Sequence, residues 1–395
     1  MCIRDRLLVV LLAVFVVGTA SAGGVKEETA VEEPVVEEAP AKEKVEVEEI
    51  KTTHPSKLNR KERAMGAIMG ALIGDALGVG CHWYYDLECL KTDFGWVTDY
   101  VEPKLDSTCL GWPDVPKQRV KEGLKKGGPS QTGQWMIMLL ESVAAKGGYV
   151  QKDFTARIDE FFKTIDGTPY SGRYTDWAIR ETYANRVQKG MSWDDPEIGS
   201  IAATSEGAQR AVILAARYED PIQSAKEMYN NIRLTYRDPF VVGQQVAFGM
   251  VVNGLINGTP LSEMGSYMGG MGRNKEIRPA LIQSYDALTQ VDIGQSAWVP
   301  ELRTFPPHLI AVLHGQDCGQ EHLLPAAYWL AHRYPDDFEA GILAAINGGG
   351  NNMARATLTG ALLGAMNGLS GIPTVSYTHL RAHETSLHLV CRLLL

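Results

Sequence analysis

The chain has 395 residues, 45% of them hydrophobic and 22% charged, which suffices for one large core or two ordinary domains. Its formal charge of −9 is concentrated between Val25 and Ile50, where ten glutamates oppose three lysines and contribute −7. The remainder is nearly neutral and has no basic stripe with interleaved aromatics, which argues against a nucleic-acid surface.

From the amino terminus, Arg4 and Arg6, the apolar run Leu7 to Val17 and the small residues Ala20-Ser21-Ala22 predict a secretory signal over residues 1–22, hence a secreted or periplasmic protein. The 11 apolar residues of that run fall short of the roughly 20 that cross a bilayer, so no membrane association is expected once the signal is removed. Residues 23–58, rich in Glu, Val, Ala, Pro and Lys, read as a solvated linker. The folded domain is placed at 59–374. It opens with Gly66, Gly70, Gly74 and Gly78 and closes with the turn Gly348-Gly349-Gly350, which leads into Gly360, Gly364 and Gly368. An interior helix glycine costs about 1 kcal/mol relative to alanine, so two such repeats predict a pair of helices packed backbone against backbone.

Between these ends, helical periodicity runs over Trp135 to Ala145, Phe154 to Ile165, Asp176 to Gln188, Ile201 to Tyr218, Pro221 to Leu234, Phe240 to Ile256, Glu276 to Leu288, Leu323 to Arg333 and Phe338 to Ile346. Breaks fall at Gly147-Gly148, Gly190, Asp220-Pro221, Asp238-Pro239 and Pro306-Pro307. Few runs alternate with period two and no internal repeat is evident, so the expected fold is an all-α orthogonal multi-helix bundle. The extreme ends, Met1 to Arg6 and Val375 to Thr385, resemble translated adapter sequence, and residues 375–395 are read as a non-native tail; the spacing of His379, His383, His388 and Cys391 there only superficially resembles a metal site. Cys81, Cys89, Cys109 and Cys318 permit two disulfides in three connectivities if the protein is exported, or buried free thiols otherwise. Asn257-Gly258-Thr259 is a glycosylation sequon.

The order of the motifs resembles the ADP-ribosylglycohydrolase family over roughly residues 60 to 375. Gly74 to Gly78 matches its GDALG-type opening, Gly360 to Ala365 its GALLGA helix, Leu234 to Pro239 its Thr-His-x-x-Pro segment, and Leu324 to Trp329 with Pro335 to Glu339 its LPAALW and PDDFE stretches. The resemblance implies two magnesium ions held by a Thr-Asp-Asp, an Asp-x-Asp-Thr and a glutamate. This chain carries Ser130-Gln131-Thr132, Asn351-Asn352-Met353-Ala354 and His82 at those positions, so all five carboxylates are replaced. Magnesium needs hard oxygen ligands that usually include carboxylates, so no metal or other cofactor is expected. The string His82-Trp83-Tyr84-Tyr85 further resembles the branch of J-type crystallins and their selenoprotein relatives.

The candidate catalytic residues are Glu206, His82 and Asp75. Asp75 shares an apolar stripe with Ile68, Leu72 and Val79, and would either cap a neighbouring helix or sit at the pocket wall beside His82. His82 is a general base near neutral pH or a packed core residue. Glu206 lies in Glu206-Gly207-Ala208-Gln209-Arg210, which resembles the family's Asn-Gly-x-x-Arg segment, and is either the remaining acid or the i,i+4 ion-pair partner of Arg210. Ser130 follows Gly127-Gly128-Pro129 as an N-cap, and with Gln131, Thr132, Asn351 and Asn352 it makes a candidate pocket for sugar hydroxyls or an anion. Asp317, Glu321 and His322 lack a further zinc ligand of convincing spacing. The implied partner is a small-molecule or ADP-ribose-like ligand. Three roles stay open: a glycosidic hydrolase, a binding protein without turnover, and a crystallin-like structural protein.

Overall fold

The computed structural model describes residues 58–174, 176–277, 294–303, 305–374, 376 and 380. The expected signal, the linker, most of the expected helix Glu276 to Leu288 and nearly all of the tail lie outside the described residues. In chain order the helices are α1 (Arg60–Val79), α2 (Leu87–Phe94), α3 (Asp114–Lys121), α4 (Gln131–Lys146), α5 (Gln151–Phe162), α6 (Trp177–Tyr183), α7 (Glu206–Arg217), α8 (Pro221–Ile232), α9 (Pro239–Ile256), α10 (Met264–Met271), α11 (Pro300–Arg303), α12 (Ile310–His314), α13 (Gln320–Arg333), α14 (Phe338–Asn347) and α15 (Asn352–Asn367). No strand occurs among the described residues, so the fold is all-α, with one isolated bridge between Ser200 and Tyr236.

The axis of the fold is the pair of glycine-striped helices, α1 and α15. A Cβ added to Gly66 or Gly70 would lie 2.1 Å from the carbonyl oxygen of Gly364 or Gly360, and one on Gly74 would lie 2.2 Å from that of Ala356. Partner numbers fall as α1 numbers rise, so the helices are antiparallel and their backbones touch. Gly368 departs from the expected stripe: it sits at the C-cap of α15 with φ +69°, where a left-handed residue ends the helix. Around this axis, α13 and α14 pack on α15, and α7 packs on α1, α4, α8 and α9. The helix α9 is apolar enough to match a bilayer span by length and composition, but 89% of it is buried by its neighbours, which accounts for an apolar surface on all sides.

Several boundaries differ from the periodicity. The expected helix Ile201 to Tyr218 starts only at Glu206, because Ser200 is pinned in extended form: its N–H donates to the Thr235 carbonyl and its own carbonyl accepts from the Arg237 N–H, each at 2.9 Å. The expected helix Asp176 to Gln188 turns into a π-helical segment at Ala184–Gln188. Glu276 and Ile277, at the start of the expected helix there, lie in a turn. Short helices α2, α3, α10 and α12 carry too few turns to raise a periodic signal.

Candidate active site

Antiparallel pairing of α1 and α15 places the C-terminal end of the first beside the N-terminal end of the second, and a cleft opens there. Because α1 ends at Val79, Cys81 and His82 sit on a turn, not on the continued stripe. His82 Nδ1 lies 3.0 Å from Asn352 Oδ1, while Asn352 Nδ2 donates to the carbonyls of Cys81 at 3.1 Å and Ile346 at 3.3 Å. Those acceptors fix the amide's orientation, so His82 carries its proton on Nδ1 and keeps a lone pair on Nε2. Burial, and then the Arg119 charge, hold the ring well below the usual histidine range. His82 is therefore a neutral acceptor, not the base near pH 7 that its residue type suggests. The facing turn is shaped by Gly350, with φ +59°, where a Cβ would lie 2.2 Å from the Gln316 carbonyl oxygen. Buried Arg355 donates to the carbonyls of Ala345 and Gly349 and holds this turn against α14.

The second wall is the start of α4. Ser130 Oγ accepts from the Gly133 N–H at 3.1 Å, the N-cap that its sequence position predicts. Its own N–H donates to Asp75 Oδ2 at 2.8 Å and its hydroxyl donates to Asp75 Oδ1. Asp75 is fully buried and does not line the cleft. Its place is beneath Ser130, seating the first turn of α4, and not beside His82 as a catalytic group. Burial pushes its pKa up to about 6 against the lowering effect of the Ser130 hydrogen bonds. Gln131 spans to the next wall: Nε2 donates to the Gly172 carbonyl at 2.8 Å and Oε1 accepts from the Asp176 N–H at 3.0 Å.

The third wall holds a carboxyl pair. Asp176 caps α6 by accepting from the Ala178 N–H at 2.8 Å, and its carboxyl hydrogen-bonds Glu206 at the first position of α7. Glu206 Oε2 also accepts from Thr204 Oγ1 at 2.6 Å and from the Tyr236 hydroxyl. Burial first, then the charge and hydrogen bond of Glu206, push the Asp176 carboxyl well above the ordinary range. Two neighbouring carboxyls repel when both are ionised, which favours the protonated form of Asp176. Arg210 is not paired with Glu206 in the expected i,i+4 manner. It donates instead to Thr235 Oγ1 at 2.7 Å and to Asn231 Oδ1 at 3.3 Å, and lies over the Trp135 ring.

The cleft encloses about 150 Å³, room for one ring-sized group with the rest of a larger ligand outside. His82, Ser130, Gln131, Thr132, Glu206 and Asn351 all line it, while Asn352 stands behind His82 as its orienting partner. Sequence reasoning missed Asp176, Arg119, Arg173, Tyr174 and Arg180, which also line it. Asp176 had a signal, its place immediately before a helical run, but that pattern reads as a cap. Cys89 and Cys109 are joined in a disulfide, Cys81 and Cys318 are free, and so the outcome lies between the two expected arrangements. Carboxylate oxygens of Asp317 and Glu321 lie 3.5 Å and 3.9 Å from His322 Nε2.

The ADP-ribosylglycohydrolase family model matches residues 56–394. The chain belongs to the ADP-ribosylglycohydrolase family. A solved ADP-ribosylglycohydrolase-related protein complex has the same fold, with a TM-score of 0.58 and 19% identity over 85% of this chain and 98% of that one. No curated protein matches the chain significantly.

The family resemblance implies magnesium, and the donors present do not fit it. Both ends of the Gln131 amide are bonded to backbone, Asn351 Oδ1 accepts from the Ala354 N–H at 3.4 Å, and Asn352 is committed to His82, Cys81 and Ile346. Two carboxyls, Asp176 and Glu206, are among the residues that line the cleft, and Asp176 is held toward its protonated form. Two hard divalent ions need more charge and more free oxygen donors than this set supplies.

Proposed function

We propose that this ADP-ribosylglycohydrolase-family chain hydrolyses a ribosyl-type glycosidic link without a metal ion, using Asp176 and Glu206 as its acid–base pair. The observation that supports this reading is a pair of neighbouring carboxyls, Asp176 and Glu206, at the wall of a ring-sized cleft, with Asp176 held toward its protonated form by desolvation and by Glu206, because environments that separate two carboxyls into acid and base are the mark of proton-transfer sites. The pair lies on one side of the cleft in hydrogen-bond contact, so it does not straddle the bond as the two carboxyls of many glycosidases do. It serves one face of the bond, in two steps. The Asp176 proton passes to the leaving nitrogen or oxygen as its bond to the anomeric carbon breaks, and once the leaving group has departed Glu206 takes a proton from the water whose oxygen bonds to that carbon. The Tyr236 and Thr204 hydroxyls steady the Glu206 charge, and neutral His82 offers Nε2 to a sugar hydroxyl.

Assays with ADP-ribosyl-arginine, ADP-ribosyl-serine and O-acetyl-ADP-ribose, with magnesium or with chelator, test the reading. Turnover is expected on at least one substrate, unchanged by chelator, and lower by about 10²–10⁴-fold in Glu206→Gln and Asp176→Asn. Strict dependence on magnesium would overturn it. The second reading, a binding protein of the J-type crystallin branch without turnover, is favoured by the replacement of the family's magnesium-binding carboxylates at residues 82, 131, 132, 351 and 353. Thermal stabilisation by ADP-ribose with no turnover on any substrate would select it. The Cys89–Cys109 bridge supports an oxidising, secreted or periplasmic location.

A further inference from the structure

Part of the cleft lining is built from donors. Arg119 is 4% exposed and lines the cleft, yet among the described residues its Nε has no hydrogen-bond partner and its Nη1 reaches only the Val79 carbonyl, at 3.3 Å. Trp83 lines the same cleft, and its buried Nε1 likewise has no partner among the described residues. The two side chains meet around one ring: the Arg119 guanidinium lies 5.9 Å from the centre of Tyr174, and Trp83 packs edge-on to it at 4.5 Å. Here too, the positive end of the 16-residue helix α4 opens at Ser130. Arg173 adds a second cation nearby, its Nη1 donating to the Pro129 carbonyl at 2.6 Å.

A buried donor without an acceptor is unfavourable, and Arg119 feels the Asp75 charge without forming an ion pair with it among the described residues, so two unfilled donors in one small cleft call for an acceptor-only ligand. We propose that Arg119 and Trp83 bind a phosphate-type oxyanion, either free phosphate or a phosphate ester on the ligand, in the cleft that they line. This deepens the hydrolase reading by naming an anionic group on the ligand of the same site. An anion fixed in the cleft would set the sugar's position relative to the carboxyl pair.

Calorimetric titration of the full chain with inorganic phosphate at constant ionic strength, alongside ribose and ribose 5-phosphate, tests this without requiring turnover. Wild-type protein is expected to bind phosphate saturably. Arg119→Met is expected to weaken binding by at least about tenfold through loss of a charge-assisted donor, and Trp83→Phe, which keeps the ring and removes only the N–H, by about fivefold. Ribose 5-phosphate binding more tightly than phosphate and ribose would place the anion on the ligand; equal binding of phosphate and the ester would identify a free anion. Absence of saturable phosphate binding in wild type overturns the proposal, as does unchanged affinity in every variant that folds, with Trp83→Phe deciding if Arg119→Met does not fold. Loss of hydrolysis in Glu206→Gln with phosphate binding intact separates this proposal from the hydrolase reading.

Discussion

Asp75 and Asp176 are both carboxyls lifted out of the ordinary range by burial, yet one seats a helix and the other faces the cleft. For Asp75 the linkage can be worked through. Its pKa rises from 3.8 to about 6 on folding, so the native state binds the extra proton between those values and stability falls as pH rises from about 4 to about 6. The contribution is about 3 kcal/mol, and Asp75→Asn should remove that part of the slope in denaturant titrations at successive pH values. For Asp176 the same direction acts on chemistry: raising the pH through its elevated pKa ionises the acid beside Glu206, so hydrolysis should decline on the alkaline side, and the decline should be absent from a residual activity in Asp176→Asn. Asp75 was legible in the sequence because a lone acid on an apolar stripe must find a partner. Asp176 was not, because its partner Glu206 lies 30 positions on and nothing local distinguishes a cap with a raised pKa from an ordinary one. His82 lines the cleft, but its neutrality comes first from burial and then from the Arg119 charge, neither of which periodicity brings to it.

At the scale of elements, the glycine stripes act through contact of main chains. A methyl group at Gly70 would lie 2.1 Å from the Gly360 carbonyl oxygen, and only movement of a whole helix relieves it. Gly70→Ala should therefore destabilise by about 3 kcal/mol, whereas Gly269→Ala, in α10 with nothing within 4 Å of the added carbon, should be neutral or stabilise by up to about 1 kcal/mol. Thermal unfolding of the two variants checks the contrast. The α1–α15 pair could be read from the four-residue glycine spacing alone, since that spacing is expensive unless two backbones meet. The start of α7 could not, because Ile201 to Ser205 suits a helix locally and is held out of one by Ser200 bonding across to residues 235 and 237.

At the scale of the molecule, the Cys89–Cys109 bridge ties α2 to a segment 20 residues away that carries Trp112 to within 5.8 Å of Trp83 at the cleft. Closing a loop of that length contributes about 3 kcal/mol, so paired Cys89→Ser and Cys109→Ser substitutions, or reduction, should lower the melting temperature by several degrees. Four cysteines left the pairing open in the sequence; burial of Cys81 against Asn352 and the placement of Cys318 in the cleft wall leave those two apart from the bridge. The first and last helices of the domain also set a timetable for synthesis. His82 and Asn352 are 270 positions apart, so α1 leaves the ribosome with its groove bare and must wait for nearly the whole domain before α15 arrives to cover it. A nascent chain interrupted before residue 352 has no binding cleft and exposes the surface on which chaperones and proteases act.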